Sequence, residues 1–157
     1  MYEYLKSLLK ENVTFYKNLK DLLNANVLPY TKDGNVLLIF DDCVKDKDQL
    51  KIEDYMLRGR KIGHGITLFY LSQNWYSIPK FIRQQLGYVI IVKVGSNKDL
   101  KNILTEFSLG VDIKVLVKLF NEATKTFPSF FKIDLSSTPN KMFSRNFDEF
   151  YTIKNDN

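Results

Sequence analysis

Apolar positions in residues 2–10 recur at Tyr2, Leu5, Leu8 and Leu9, the three-to-four spacing of one helical face, and predict a first helix. Residues 13–16 form a short β-prone run, and Asn18 is a suitable N-cap for a brief helix through Leu23. Residues 24–35, with Pro29, Asp33 and Gly34, read as loop. The next segment, NVLLIFDD, is an apolar run closed by two acids. Its apolarity is continuous rather than alternating, which predicts a central strand of a parallel sheet with both faces covered.

The same alternation of strand and helix continues. A polar stretch over residues 44–51 leads into a predicted helix at 52–57, ended by the Gly-rich segment RGRKIGHG. ITLFYLSQ is a second buried strand with a polar end, and Pro79 opens a helix over IPKFIRQQ at its favoured first position. GYVIIVKV is a third strand, followed by an Asn97-capped helix through Phe107. An Asp112-capped helix, KVLVKLFNEAT, precedes a last strand, FFKIDL, and a polar tail. Together these elements predict an α/β fold with a mainly parallel sheet, whose ligands sit at the carboxyl ends of the strands.

Length and composition set the frame. A chain of 157 residues, 45% apolar and 26% charged, suits a single domain, and no repeat or linker marks a second. Its longest apolar runs fall far short of the roughly 18 residues of a membrane span, and the N-terminal residues lack the apolar core of a secretory signal. Intracellular residence is the expectation. One cysteine, Cys43, and one histidine, His64, leave neither an internal disulfide nor a Cys/His zinc site. The net charge of +5 permits contact with a polyanion through lysines such as Lys61, Lys80, Lys93 and Lys98. Lysine supplies 19 of the 23 basic residues, yet three of the four arginines, Arg58, Arg60 and Arg83, fall close together. A guanidinium is a planar, permanently charged fork that lysine does not imitate, so the cluster marks either a place where the fork is used or a set of surface ion pairs.

Chemistry in such a fold belongs at the strand ends, where Asp41, Asp42, Ser72 and Gln73 stand. In a P-loop NTPase the first acid after the strand holds the Mg²⁺ water shell and the second polarises the attacking water; a Gln on the adjacent strand senses the γ-phosphate. The structural alternative is that Asp42 caps a turn and Gln73 bonds a loop backbone. His64 between two glycines reads as a loop residue, Cys43 as a small buried residue, and Trp75 and Tyr76 as loop anchors.

Taken in order, LLIFDDC, RGRKIGHGITLFYLSQNWYSIPKFIRQQ, YVIIVKVGSNKDLKNILTEFSLGVD and SRNFDEFY resemble the genome-packaging ATPases of large DNA viruses, virophages and Polinton-like elements, members of the FtsK–HerA superfamily of P-loop motors. The resemblance runs through most of the chain from about residue 13. It implies a RecA-like P-loop core in which IFDD is the Walker B motif, with Asp41 for Mg²⁺ and Asp42 for the water, and in which Gln73 is the sensor. Arg58 and Arg60 become candidates for an arginine finger reaching a neighbouring subunit of a ring, with Arg83 as a second choice. GRKIGHG departs from the more usual Gly-Arg-His form. The implied cofactors are ATP and Mg²⁺, the implied partners double-stranded DNA and further subunits, and the implied location the host cytoplasm or a viral factory.

One element of that family is missing. The seven glycines provide no G-x-x-x-x-G-K-[ST] spacing, so there is no Walker A loop to cradle phosphates. The chain therefore looks like the C-terminal two-thirds of such a motor, without its first strand, and is expected to be inactive alone and to need a complementary Walker A chain. Charge-assisted bonds to phosphate contribute roughly 1.5–3 kcal/mol each, so losing several removes most nucleotide affinity. The alternative function is a non-catalytic basic module that binds DNA or a motor subunit.

Overall fold

In the first apolar run, Val36–Asp41 form strand β1, and Ile66–Leu71 form β2 beside it. The two pair in parallel, from Val36 opposite Ile66 to Asp41 opposite Leu71. Parallel neighbours need a crossover, and helix α2 (Gln49–Arg58) lies between them in sequence. These observations come from a computed structural model that describes residues 2–24, 36–61 and 65–153, the Arg60 side chain excepted. The chain divides into two compact units, Met1–Arg83 and Gln84–Asn157.

The first unit also contains α1 (Tyr2–Leu9), and α3 (Lys80–Gln84) spans the division. Its core joins Leu19, Leu22, Phe40, Ile52, Tyr55, Ile66, Ile78 and Ile82. Lys51 of α2 fixes the segment before β1: its ammonium donates to the carbonyls of Leu19 (3.0 Å), Lys20 (3.0 Å) and Leu22 (2.6 Å). Three donors thus meet three carbonyls at the end of a short 3₁₀ turn, Leu19–Asp21, and Tyr55 adds a hydroxyl bond to the Leu23 carbonyl. Asn18 precedes that turn with an extended backbone but without a side-chain cap; its amide turns to Asp21 at 3.3 Å. The β-prone run at 13–16 forms no strand, and the expected loop at 25–35 lies outside the described residues.

The second unit contains β3 (Tyr88–Ile91), α4 (Asn97–Glu106), α5 (Ile113–Ala123), β4 (Phe131–Asp134), β5 (Phe143–Arg145) and β6 (Glu149–Phe150). The strands form one sheet in the order β3-β4-β5-β6, every pair antiparallel. This corrects the expectation of a mainly parallel sheet. An apolar run records burial, not direction, and two packed helices rather than one separate β3 from β4, so the chain re-enters the sheet at the end where β3 left it. The expected polar tail supplies β5 and β6, joined by a tight turn at Asn146 (φ 54°), whose carbonyl accepts from Ser144 Oγ at 2.9 Å. Buried Phe131 and Phe143 stack with centroids 5.9 Å apart, and Phe120 of α5 meets Phe131 edge-on at 6.2 Å. Ser96 rather than Asn97 caps α4, accepting from Asp99 N at 3.3 Å; Asp112 caps α5 as expected, accepting from Lys114 N at 2.7 Å.

The overall class is mixed α/β, with a two-stranded parallel sheet and a four-stranded antiparallel sheet among the described residues. The expectation that both faces of the apolar strands are covered is also corrected. Leu37, Ile39, Phe69 and Leu71 alternate with buried or half-buried neighbours and are about half exposed, so β1 and β2 have one covered face and one open. No helix of the described residues is long and apolar enough to cross a membrane.

Candidate functional site

The parallel register brings the carboxyl ends of β1 and β2 side by side. Asp41 closes β1 opposite Leu71, and the next residue, Asp42, continues the ladder by donating its N–H to the Leu71 carbonyl at 3.1 Å. Asp42 has φ 52° and ψ 34°, a left-handed conformation that costs a non-glycine residue energy and that Asp tolerates better than most. It turns the chain sharply into a 3₁₀ turn, Cys43–Lys45, and leaves both carboxylates exposed. Across from them, Ser72 makes a compact turn after β2: its hydroxyl donates to the Asn74 carbonyl at 2.9 Å and accepts from Asn74 N at 3.1 Å. Gln73 sits in that turn with its side chain exposed. Asp41, Asp42, Ser72 and Gln73 thus stand at the same end of the two-stranded sheet.

Several contacts that the sequence reading did not anticipate support this end. Tyr2 of α1 donates its hydroxyl to Asp41 Oδ2, and that bond is the main cause that raises the Tyr2 pKa. Gln49 donates to the carbonyls of Cys43 and, at 3.1 Å, Asp46, while its Oε1 accepts from Tyr70 OH at 3.3 Å. Asp46 accepts from Asp48 N at 3.0 Å and Leu19 N at 3.4 Å. In sequence, Gln49 and Asp46 look like part of a solvated stretch. The clue available was their position just past an acid pair, where a reversing chain needs side-chain acceptors and donors.

The electrostatics are those of an acidic rim. Burial raises the Cys43 thiol pKa, and the negative charges of Asp46, Asp41 and Asp42 raise it further; its Sγ donates to the Asp41 carbonyl at 3.5 Å. Tyr70 is pushed up to about 12, first by burial and then by Cys43. A phenol raised above the unfolded value of 10.0 contributes stability that is intact below pH 10 and is lost as pH rises toward 12. Alkaline absorbance titration should therefore show a late phenolate step that Tyr70→Phe removes; complete ionisation near pH 10 in the folded protein would contradict this environment.

The arginines divide. Arg58, at the end of α2, pairs with Asp54 one turn back at 2.6 Å on an exposed face. Arg83 donates from Nε to the Ile78 carbonyl at 3.2 Å and lies 5.7 Å from the ring centroids of both Trp75 and Tyr76. Those two aromatics therefore anchor Arg83 to the turn after β2. Arg60 lies in a 3₁₀ turn, Gly59–Lys61, which packs closely on β2: a Cβ at Gly59 would stand 3.3 Å from Ile66 Cβ. His64 lies outside the described residues. Arg145 pairs with Glu149 at 3.4 Å and donates to Ser129 Oγ at 3.2 Å. Lys61, Lys80, Lys93 and Lys98 are exposed.

Among the described residues no three or more His, Cys, Asp or Glu side chains come together as a metal cage. Asp41 can offer one accessible carboxylate to the water shell of a cation. A depression of about 310 Å³ lined by Lys20, Lys47, Asp48, Leu50 and Lys51 shares none of these residues. The chain matches no family model, no curated protein and no solved structure.

Proposed function

We propose that this chain is the Walker B half of a DNA-packaging or DNA-translocating motor ATPase of the FtsK–HerA class, built to complete a RecA-like core with a segment that carries the phosphate loop. The observation that supports the reading is the pair of adjacent parallel strand ends, with Asp41 and Asp42 on one and Gln73 on the other. Asp41 would hold the water shell of Mg²⁺, which when bound neutralises phosphate charge, and Asp42 would orient and polarise the attacking water. Gln73 would contact the γ-phosphate. The outer edges of β1 and β2, unpaired among the described residues, are what a sheet missing a strand exposes. Double-stranded DNA would be the translocated substrate and further subunits the ring neighbours.

Alone, the chain is expected to release no phosphate from ATP, with or without DNA. Turnover near one per second by the isolated chain, abolished by Asp42→Ala, would show a phosphate site of another kind.

A further inference from the structure

The antiparallel sheet of the second unit has two unlike faces. Val89, Ile91, Phe131, Ile133 and Phe143 are buried on one. Register puts Ile90, Lys132, Ser144 and Phe150 in one row across the other face, with Tyr88 opposite Asp134 in the next row. On that face Tyr88 is 58% and Phe150 44% exposed, whereas Lys132 between them is only 7% exposed. The Lys132 ammonium lies 5.8 Å from the Tyr88 ring centroid and 5.4 Å from that of Phe150, and Lys141 reaches Phe150 at 6.0 Å.

This is an unusual use of a lysine. Burying an ammonium costs several kcal/mol unless a partner compensates, and among the described residues neither Lys132 nor Lys141 has an ion-pair partner. The acid on this face, Asp134, is turned to its own loop, accepting from Ser136 N at 3.1 Å and Ser136 Oγ at 3.0 Å. Lys132 therefore lies within cation–π range of two rings that both stay about half exposed, and Lys141 adds a second cation at Phe150. A flat sheet face with spaced, accessible rings and uncompensated cations is complementary to a polyanion that presents flat π-faces. A duplex hides those faces in its stack; a single strand offers them.

We propose that the open face of the β3–β6 sheet binds single-stranded nucleic acid, stacking bases on Tyr88 and Phe150 and holding phosphate with Lys141. This rests on the second unit alone and does not depend on the nucleotide reading of Asp41 and Asp42. The test is fluorescence anisotropy of a labelled oligothymidylate of about a dozen nucleotides, and of a matched duplex, with the full chain at low salt. The single strand should bind more tightly than the duplex. Phe150→Ala should weaken it roughly tenfold and Tyr88→Phe should not, because stacking needs the ring and not the hydroxyl. Lys141→Gln should flatten the salt dependence by about 0.7 in log–log slope. Thermal melting checks the fold of each variant, and Tyr88→Ala at the more exposed ring gives the same loss if Phe150→Ala fails to fold. Absence of saturable binding, or equal binding of the duplex with no effect of the ring variants, would overturn the proposal. So would a sedimenting dimer that Phe150→Ala dissolves, which would assign the face to a second copy of the chain.

Discussion

Arg60→Lys in a completed, oligomeric protein is expected to lower ATP turnover about 10³-fold with little change in melting temperature, because a finger acts on a neighbour's transition state and not on its own fold. The Gly-Arg resemblance favours Arg60, and the other two candidates are engaged within their own unit. The Arg58 guanidinium is paired with Asp54 in an exposed i,i+4 bridge, an interaction that contributes about 1 kcal/mol or less. Arg83 is held by the Ile78 carbonyl and by two aromatic rings, so its fork has work within its own unit. The backbone turn that holds Arg60, Gly59–Lys61, packs on β2 through the close approach of Gly59 to Ile66. Mixing Arg60→Lys with Asp42→Ala subunits should restore part of the activity, since some interfaces then pair an intact arginine with an intact acid. If Arg58→Lys and Arg60→Lys both turn over at the parental rate, the finger lies elsewhere, and Arg83 is next to test.

A comparable loss is expected from Asp42→Asn. Its carboxylate is exposed at the strand end, and its left-handed backbone is one that Asn adopts as readily as Asp, so the substitution removes charge without removing the turn. Turnover of the completed protein should fall to background while the melting temperature of the chain stays within a few degrees. Asp41→Ala should remove activity too, with loss of the Tyr2 hydroxyl's partner as a separate structural effect. Parental turnover in both variants would show that the two acids only shape the turn.

The strand end was legible in sequence because several signals coincide there: a long apolar run, a second one after a helix, and polar residues closing both. Those signals fixed β1, β2, their parallel pairing and the shared position of Asp41, Asp42 and Gln73. Direction and coverage were not legible. Continuous apolarity in VLLIF predicts cover on both faces, yet Leu37 and Ile39 are exposed, and β3 pairs antiparallel with β4. The short strands Phe143–Arg145 and Glu149–Phe150 carry too few apolar positions for any period to register; they exist because the turns before them deliver the first to the edge of β4 and the second to the edge of β5. The face shared by Tyr88, Lys132 and Phe150 is likewise invisible along the chain, since its members lie far apart in sequence and meet only through register. Tyr2 reads as one more apolar position on a helical face, and its bond to Asp41 depends on where α1 ends up rather than on its spacing.

In the proposed function this chain holds the acid and sensor positions of a motor whose phosphate loop is supplied by another segment. The most direct measurement is ATP-dependent phosphate release by the chain alone and after fusion to, or addition in trans of, a segment carrying G-x-x-x-x-G-K-[ST] on its own strand. No turnover is expected from the chain alone, with Mg²⁺-dependent turnover on completion and its loss in Asp42→Asn. Failure of any such completed, folded protein to hydrolyse ATP, or hydrolysis that survives Asp42→Asn, would contradict the proposed function.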